Sequence, residues 1–171
     1  ICDLGGFVAS TYMRGIDFIN IPSTLLSQVD ASIGGKVGID YYNLKNLIGV
    51  FNEPKEVLVD INLLKTLSKR ELKSGFAEII KHCLIRDKDM FFKISKTKWD
   101  SNSWKELVKH SISIKYDIVK NDPTEQGMRK ILNFGHTIGH AIETTYLSKS
   151  KKFLHGEAIS IGIICEAFIS N

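Results

Sequence analysis

Read at about 100° per residue, the stretch Arg129–Glu143 separates into two faces. Arg129, Asn133, His136, His140 and Glu143 fall on one narrow stripe. Ile131, Phe134, Ile138, Ala141 and Ile142 fall opposite, which predicts one amphipathic helix with its apolar side on a core. Gly135 and Gly139 border the polar stripe one turn apart. Each glycine costs a helix roughly 1 kcal/mol relative to alanine, so two together imply that something approaches the backbone closely. Solvated helix faces are built mainly from Lys and Glu. A stripe of Asn and two His between glycines points to a site instead.

Elsewhere the pattern predicts two kinds of structure. Residues 1–16 read as a helix with Asp3 at its N-cap, and Ile16–Ile21 alternates as a strand that ends at Pro22. Pro22–Asp30 reads as a brief helix. Val37–Asp40, Lys45–Phe51 and Val57–Asp60 read as short extended segments among glycines and turns. From Ile61 the period changes to helical. A short helix at 63–67 precedes one launched by the Ser68-Lys-Arg-Glu71 capping box and running to about Ile85. Further helices are expected at 89–96, at 103–120 and from Leu154 to Ile169, with Ser148–Lys152 a basic loop. The expected boundary lies near residue 60, between a mixed α/β piece (1–60) and an all-helical piece (61–171).

Composition narrows the class. The apolar and charged fractions of these 171 residues are those of a soluble globular protein, and no apolar run reaches spanning length. The segment Ile1-Cys-Asp-Leu-Gly-Gly lacks the basic region of a secretory signal. The chain opens without Met and carries a helical pattern into Asn171, so it is expected to be a piece of a longer polypeptide. Cys2, Cys83 and Cys165 are odd in number and far apart, as buried reduced thiols of a cytoplasmic protein would be. A net charge of +4 with scattered lysines argues against nucleic acid and suits a small anionic substrate.

Two sets of residues could do chemistry. Glu71, Ser74, Glu78, Lys81 and His82 share a stripe of the helix after Ser68. His136 and His140 stand one turn apart, and His155 opens its own helix beside Gly156 and Glu157. Two histidines and a carboxylate with open positions form the ligand set of a catalytic zinc site. Spacing alone selects His136 and His140 as the histidine pair, and leaves His82 and His110 as ordinary surface or interhelix residues. The second set is basic: Lys36 after Gly34-Gly35, Lys45 beside Asn46, Lys81, and Arg129. Glycines admit an anion to the backbone and lysines bind it as point charges. Neither a P-loop nor a G-x-G-x-x-G fingerprint is present.

Seven stretches also resemble, in order and spacing, the motifs of the 3-dehydroquinate synthase family. They are Asp3-Leu-Gly-Gly-Phe-Val-Ala, Pro22-Ser-Thr-Leu-Leu, Val29-Asp-Ala-Ser-Ile-Gly-Gly-Lys36, Lys45-Asn-Leu-Ile-Gly49, Ser74-Gly-Phe-Ala-Glu-Ile-Ile-Lys81, Leu132-Asn-Phe-Gly-His-Thr-Ile-Gly-His140 and His155-Gly-Glu-Ala158. The resemblance implies α/β plus all-α architecture: the remainder of a dinucleotide-binding α/β domain, then a truncated multihelical metal-binding domain. It implies an NAD- and zinc-dependent (or cobalt-dependent) lyase of the shikimate pathway, a cytoplasmic homodimer when complete. Its substrate would be the sugar-acid phosphate 3-deoxy-D-arabino-heptulosonate 7-phosphate, converted to 3-dehydroquinate and phosphate. By motif position the metal ligands would be Glu78, His136 and His155, with His140 near the substrate, against the choice from spacing. Lys36, Asn46, Lys81, Lys115, Arg129, Asn133 and His140 would line the substrate pocket, and Arg14 would reach the neighbouring subunit's site. Asp3, Ser23, Thr24, Asp30, Lys36, Lys45, Leu63 and Thr66 would bind the dinucleotide. Ser23 stands where the family usually has Thr. The family's N-terminal nucleotide-binding half and last helices have no counterpart here. The rival readings are another sugar-phosphate cyclase, a metal-dependent alcohol dehydrogenase and a non-catalytic metal-binding helical module.

Overall fold

The computed structural model describes residues 1–42, 44–146 and 152–171, and for Leu44 and Lys45 the backbone only. The expected basic loop Ser148–Lys152 falls almost entirely outside them. Short strands and one helix come first: α1 (Cys2–Thr11), β1 (Ile19–Asn20), β2 (Lys36–Tyr41), β3 (Leu44–Phe51) and β4 (Glu56–Val57). Helices follow: α2 (Lys69–Arg86), α3 (Lys88–Ser95), α4 (Trp104–Asn121), α5 (His136–Tyr146) and α6 (His155–Ile169). No described helix is long and apolar enough to cross a membrane.

β2 and β3 form an antiparallel ribbon with Val37 opposite Val50 and Gly38 opposite Gly49, and a bulge between Ile39 and Tyr41. α1 lies on this ribbon because Gly6 leaves room for Val37 and Phe18. β1 pairs in parallel with β4 over two residues only. The strands expected at 16–21 and 57–60 are therefore much shorter than their alternation suggested. Asp60, beyond the end of β4, caps a 3₁₀ turn (Ile61–Thr66), accepting from the Asn62 N–H at 2.9 Å. α1 also differs from expectation. It begins at Cys2 with Asp3 inside its first turn, not at the N-cap, and stops at Thr11 before a turn in which Met13, Arg14 and Gly15 take positive φ.

The main core gathers Phe76, Ile79 and Cys83 of α2, Ile94 of α3, Leu107 and Val108 of α4, and Leu25, Val29 and Leu64. Phe76 packs against Trp99 and Trp104 with ring centroids 6.4 and 6.2 Å apart. α2 starts as expected: the Ser68 hydroxyl accepts from the Glu71 N–H at 3.2 Å. Leu25 and Leu26 sit against Gly75, where a Cβ would strike their backbone.

The single helix expected over 129–143 is two elements. Met128–Asn133 is a 3₁₀ turn, Phe134 and Gly135 form a turn, and α5 begins at His136. Gly135 makes the break, with φ of 81°. The physical reason lies far along the chain. The Glu166 carboxylate of α6 accepts from the Gly135 N–H at 2.6 Å and the Ile138 N–H at 3.3 Å, an anion placed at the positive end of α5. Gly162 of α6 lies so close that a Cβ there would collide with the Gly135 carbonyl.

Candidate metal centre and anion pocket

α2 is the floor of the site. Glu78, Lys81 and His82 point from it into the protein and are essentially inaccessible to solvent. A buried charge must be paired or it is costly, and here Glu78 pairs with Lys81 three residues on. Neither Glu78 oxygen receives a directed hydrogen bond within the described residues. Instead the His155 Nε2 lies 3.4 Å and the His136 Nε2 4.0 Å from Glu78 Oε1.

Two close helix contacts bring these rings in. α6 begins against α2 because Gly156 has no Cβ to strike the Ser74 carbonyl; its N–H bonds to Ser74 Oγ at 3.0 Å. Arg70 clamps the same end, its guanidinium reaching both Glu157 oxygens at 2.7 Å. That seats His155 beside Glu78. The Gly135–Gly162 contact does the same for His136. Glu78, His136 and His155 then each offer a donor atom within 4.8 Å of the others. The same proximity holds for the group His140, Glu143 and His155, and for Asp30, Glu78 and His82.

Charge in this cluster is strongly coupled. Burial opposes ionisation of Glu78, yet Lys81 and the histidines hold its carboxyl below the usual range. Burial and then Lys81 push His136 down to about 4. Burial also disfavours a charged His155, but its contacts with Glu143 and Glu78 prevail and raise it to about 9. Both carboxylates thus favour the protonated form of His155, with which a divalent cation would compete.

Above this floor opens a cavity of about 580 Å³. Its wall includes Asp3, Asp30, Lys36, Asn46, Lys81, Lys115, Arg129, Asn133, His136, His140 and His155. Lys115, buried on α4, donates to the Asp30 backbone carbonyl and to Oδ1, both at 2.6 Å. Burial opposes that carboxylate's charge, but Lys115 and Lys81 hold it ionised, well below the usual range. Lys36 is lowered to about 8 by burial and by the neighbouring Arg129 and Lys115. Arg129 lies over the Phe51 ring, 5.8 Å from its centroid, and donates to the Gly34 carbonyl at 2.7 Å. Gly34, expected to admit an anion, admits this guanidinium instead: a Cβ there would collide with it.

Other expected residues lie elsewhere. Ser23, Leu63 and Thr66 are exposed away from the cavity, and Thr24 bonds Ser27 at the start of the helical turn that follows. Arg14 lines a second concavity of about 400 Å³ with Asp17, Asn52 and Glu53. The Lys45 side chain lies outside the described residues. Sequence reasoning missed Glu125, which lines the cavity, pairs with Lys36 and accepts from Asn133 Nδ2 at 2.5 Å. It sits in an irregular segment without periodicity, so nothing in the pattern marked it. His82, read as ordinary, is fully buried with Nδ1 2.5 Å from Ser111 Oγ.

The fold that carries this metal-competent triad and cavity is shared with sugar phosphate cyclases of known structure. Among solved structures, a 2-deoxy-scyllo-inosose synthase complexed with carbaglucose-6-phosphate, NAD+ and Co2+ superposes with a TM-score of 0.85 at 33% identity, over 97% of this chain and 47% of that one. The 2-epi-5-epi-valiolone synthase of Streptomyces hygroscopicus subsp. jinggangensis 5008, with NAD+ and Zn2+ bound, gives 0.82 at 28% identity, over 93% and 45%. Within that fold, the chain belongs to the 3-dehydroquinate synthase family: the family's N-terminal part matches residues 1–74 and its C-terminal part residues 75–171. The 3-dehydroquinate synthase of Prochlorococcus marinus is 51% identical over 171 aligned residues, 96% of this chain and 46% of its own length. The chain thus spans about half the length of the curated relatives it matches.

Proposed function

We propose that the full polypeptide to which this chain belongs converts 3-deoxy-D-arabino-heptulosonate 7-phosphate into 3-dehydroquinate and phosphate, with NAD returned unchanged. One observation carries the reading: donors of Glu78, His136 and His155 meet beneath a cavity walled by Lys36, Lys81, Lys115 and Arg129. The donor set fits a divalent ion, zinc or cobalt, because it pairs two imidazoles with a carboxylate whose buried oxygens lack directed donors. When bound, the metal supplies Lewis-acid polarisation of a substrate oxygen, and the dinucleotide supplies the acceptor and donor of one hydride.

The chain's own residues do the rest. Lys36, Lys81, Lys115 and Arg129 offset the carboxylate and phosphate charges of the substrate in a partly dehydrated cavity, where charges interact more strongly than in bulk water. Asn46, Asn133 and His140 hydrogen-bond the substrate, the last two at the departing phosphate. Asp3, Ser23, Thr24, Asp30, Lys36, Lys45, Leu63 and Thr66 contribute to the dinucleotide side. We place the division between the α/β and helical parts near residue 60. The complete enzyme works as a cytoplasmic homodimer, in which Arg14, set apart from the main cavity, reaches the partner's site. Three free cysteines accord with a reducing compartment.

The test is a phosphate-release assay on the full-length protein, with absorbance followed at the reduced-nicotinamide band. Phosphate should appear in many-fold excess over NAD without steady accumulation of NADH, and a chelator should stop it. One NADH per product would make this a dehydrogenase. Turnover of a sugar phosphate lacking a carboxylate, in preference to the seven-carbon acid, would assign it to another cyclase of the same fold. Binding of metal without NAD or phosphates would leave only a metal-binding module.

A further inference from the structure

We propose that Glu143 is a positioning residue: its carboxylate holds the His155 ring so that Nε2 faces Glu78. The inference rests on the metal reading given above and extends it to a residue outside the ligand set. The His155 Nδ1 lies 3.2 Å from Glu143 Oε2, while Nε2 on the far side of the ring lies 3.4 Å from Glu78 Oε1. Both partners are largely buried, with side-chain exposures of 18% and 12%. Glu143 stands on α5 and His155 on α6, so the contact bridges two helices. Their spacing is already set by Gly135, Gly139 and Gly162, none of which leaves room for a Cβ.

His136 is anchored by the same logic with a different partner. Its Nδ1 lies 3.3 Å from the Phe134 carbonyl, and its Nε2 faces Glu78. Each imidazole thus has one nitrogen held from behind and the other turned to the centre. A carbonyl or carboxylate behind an imidazole makes that nitrogen the N–H donor and leaves the opposite lone pair for a metal. The two anchors are not equal. A backbone carbonyl orients the ring, whereas the Glu143 carboxylate also adds a full negative charge behind it and makes His155 the stronger donor.

The experiment uses the full-length protein stripped of metal, with zinc affinity read by competition against a chromophoric chelator. Loss of a partner of this kind weakens metal binding by roughly 10- to 100-fold, and that is the expectation for Glu143→Ala. Glu143→Gln should lose less, because its amide oxygen still accepts from Nδ1–H without the charge. A purely structural role would lower the metal-free melting temperature of both variants. Positioning leaves the melting temperature of metal-free Glu143→Gln near that of the parent and shrinks the rise that zinc produces. If the parent binds no metal, this inference and the metal reading fall together. If the parent binds zinc and both variants bind it equally well, only the role of Glu143 falls. If His140→Ala sheds zinc as completely as Glu143→Ala does, Glu143 is a ligand in the group His140, Glu143 and His155, and the positioning role is overturned.

Discussion

The two walls of the cavity are built on opposite terms. On the helical wall Glu78 and Lys81 are fully buried, and their orientation follows from the packing of α2 over its largely buried stretch, residues 74–83. On the ribbon wall the Lys36 side chain is half-exposed, and Asn46 is exposed at a positive φ on β3. The difference concerns preorganisation. A buried ion pair has no water to relax into, so its geometry belongs to the fold. A half-exposed lysine keeps much of its hydration and its rotamers until a ligand engages it.

The strongest way to break that contrast is to remove one member of the buried pair. Glu78→Ala leaves the Lys81 ammonium buried without its counter-ion and should destabilise the fold by about 3–5 kcal/mol, read as a shift of the urea midpoint in chelator. Replacing both residues by methionine should recover most of that loss, since a well-packed apolar pair does as well as an ion pair in a protein interior. A double variant no more stable than Glu78→Ala would show that the pair stabilises the wall outright.

Close helix contact is the next difference to probe. Gly162→Ala forces a Cβ into the Gly135 carbonyl and should cost about 1–3 kcal/mol while weakening metal binding through His136. Gly5, in α1, has open space where a Cβ would stand, with nothing within 4 Å. There the same substitution should stabilise by roughly 0.5–1 kcal/mol, as expected for an exposed helix interior. Equal effects at the two glycines, by denaturant titration, would erase the distinction between the regions.

The smallest effect on stability belongs to the ribbon. Lys36→Met removes an ion pair with Glu125 and should change stability by less than about 0.5 kcal/mol. If the proposed activity holds, the full-length variant should nevertheless lose roughly 10- to 100-fold in kcat/KM, the usual loss for one charge-assisted contact to substrate. A large stability change with unaltered kinetics would make Lys36 a structural residue.

Much of this was legible in the chain itself. The shift from short glycine-punctuated segments to helical periodicity near residue 60, the Ser68 cap and the alternate faces of α2 and α4 are local properties, carried by neighbours three or four residues apart. The stripe of Asn133, His136 and His140 was legible too, and all three line the cavity. Tertiary structure decided what local pattern could not. The 129–143 stripe breaks at Gly135 because Glu166, 31 residues on, captures the first amides of α5. Hydrophobic periodicity runs through that break unchanged, so it carries no trace of it. His155 meets Glu78 because Gly156 lies on Ser74, 82 residues earlier. Glu125 faces Lys36 from an aperiodic turn. Side-chain identity is written in the sequence, but which donors converge depends on how closely helices approach, and that distance is set by atoms far apart along the chain.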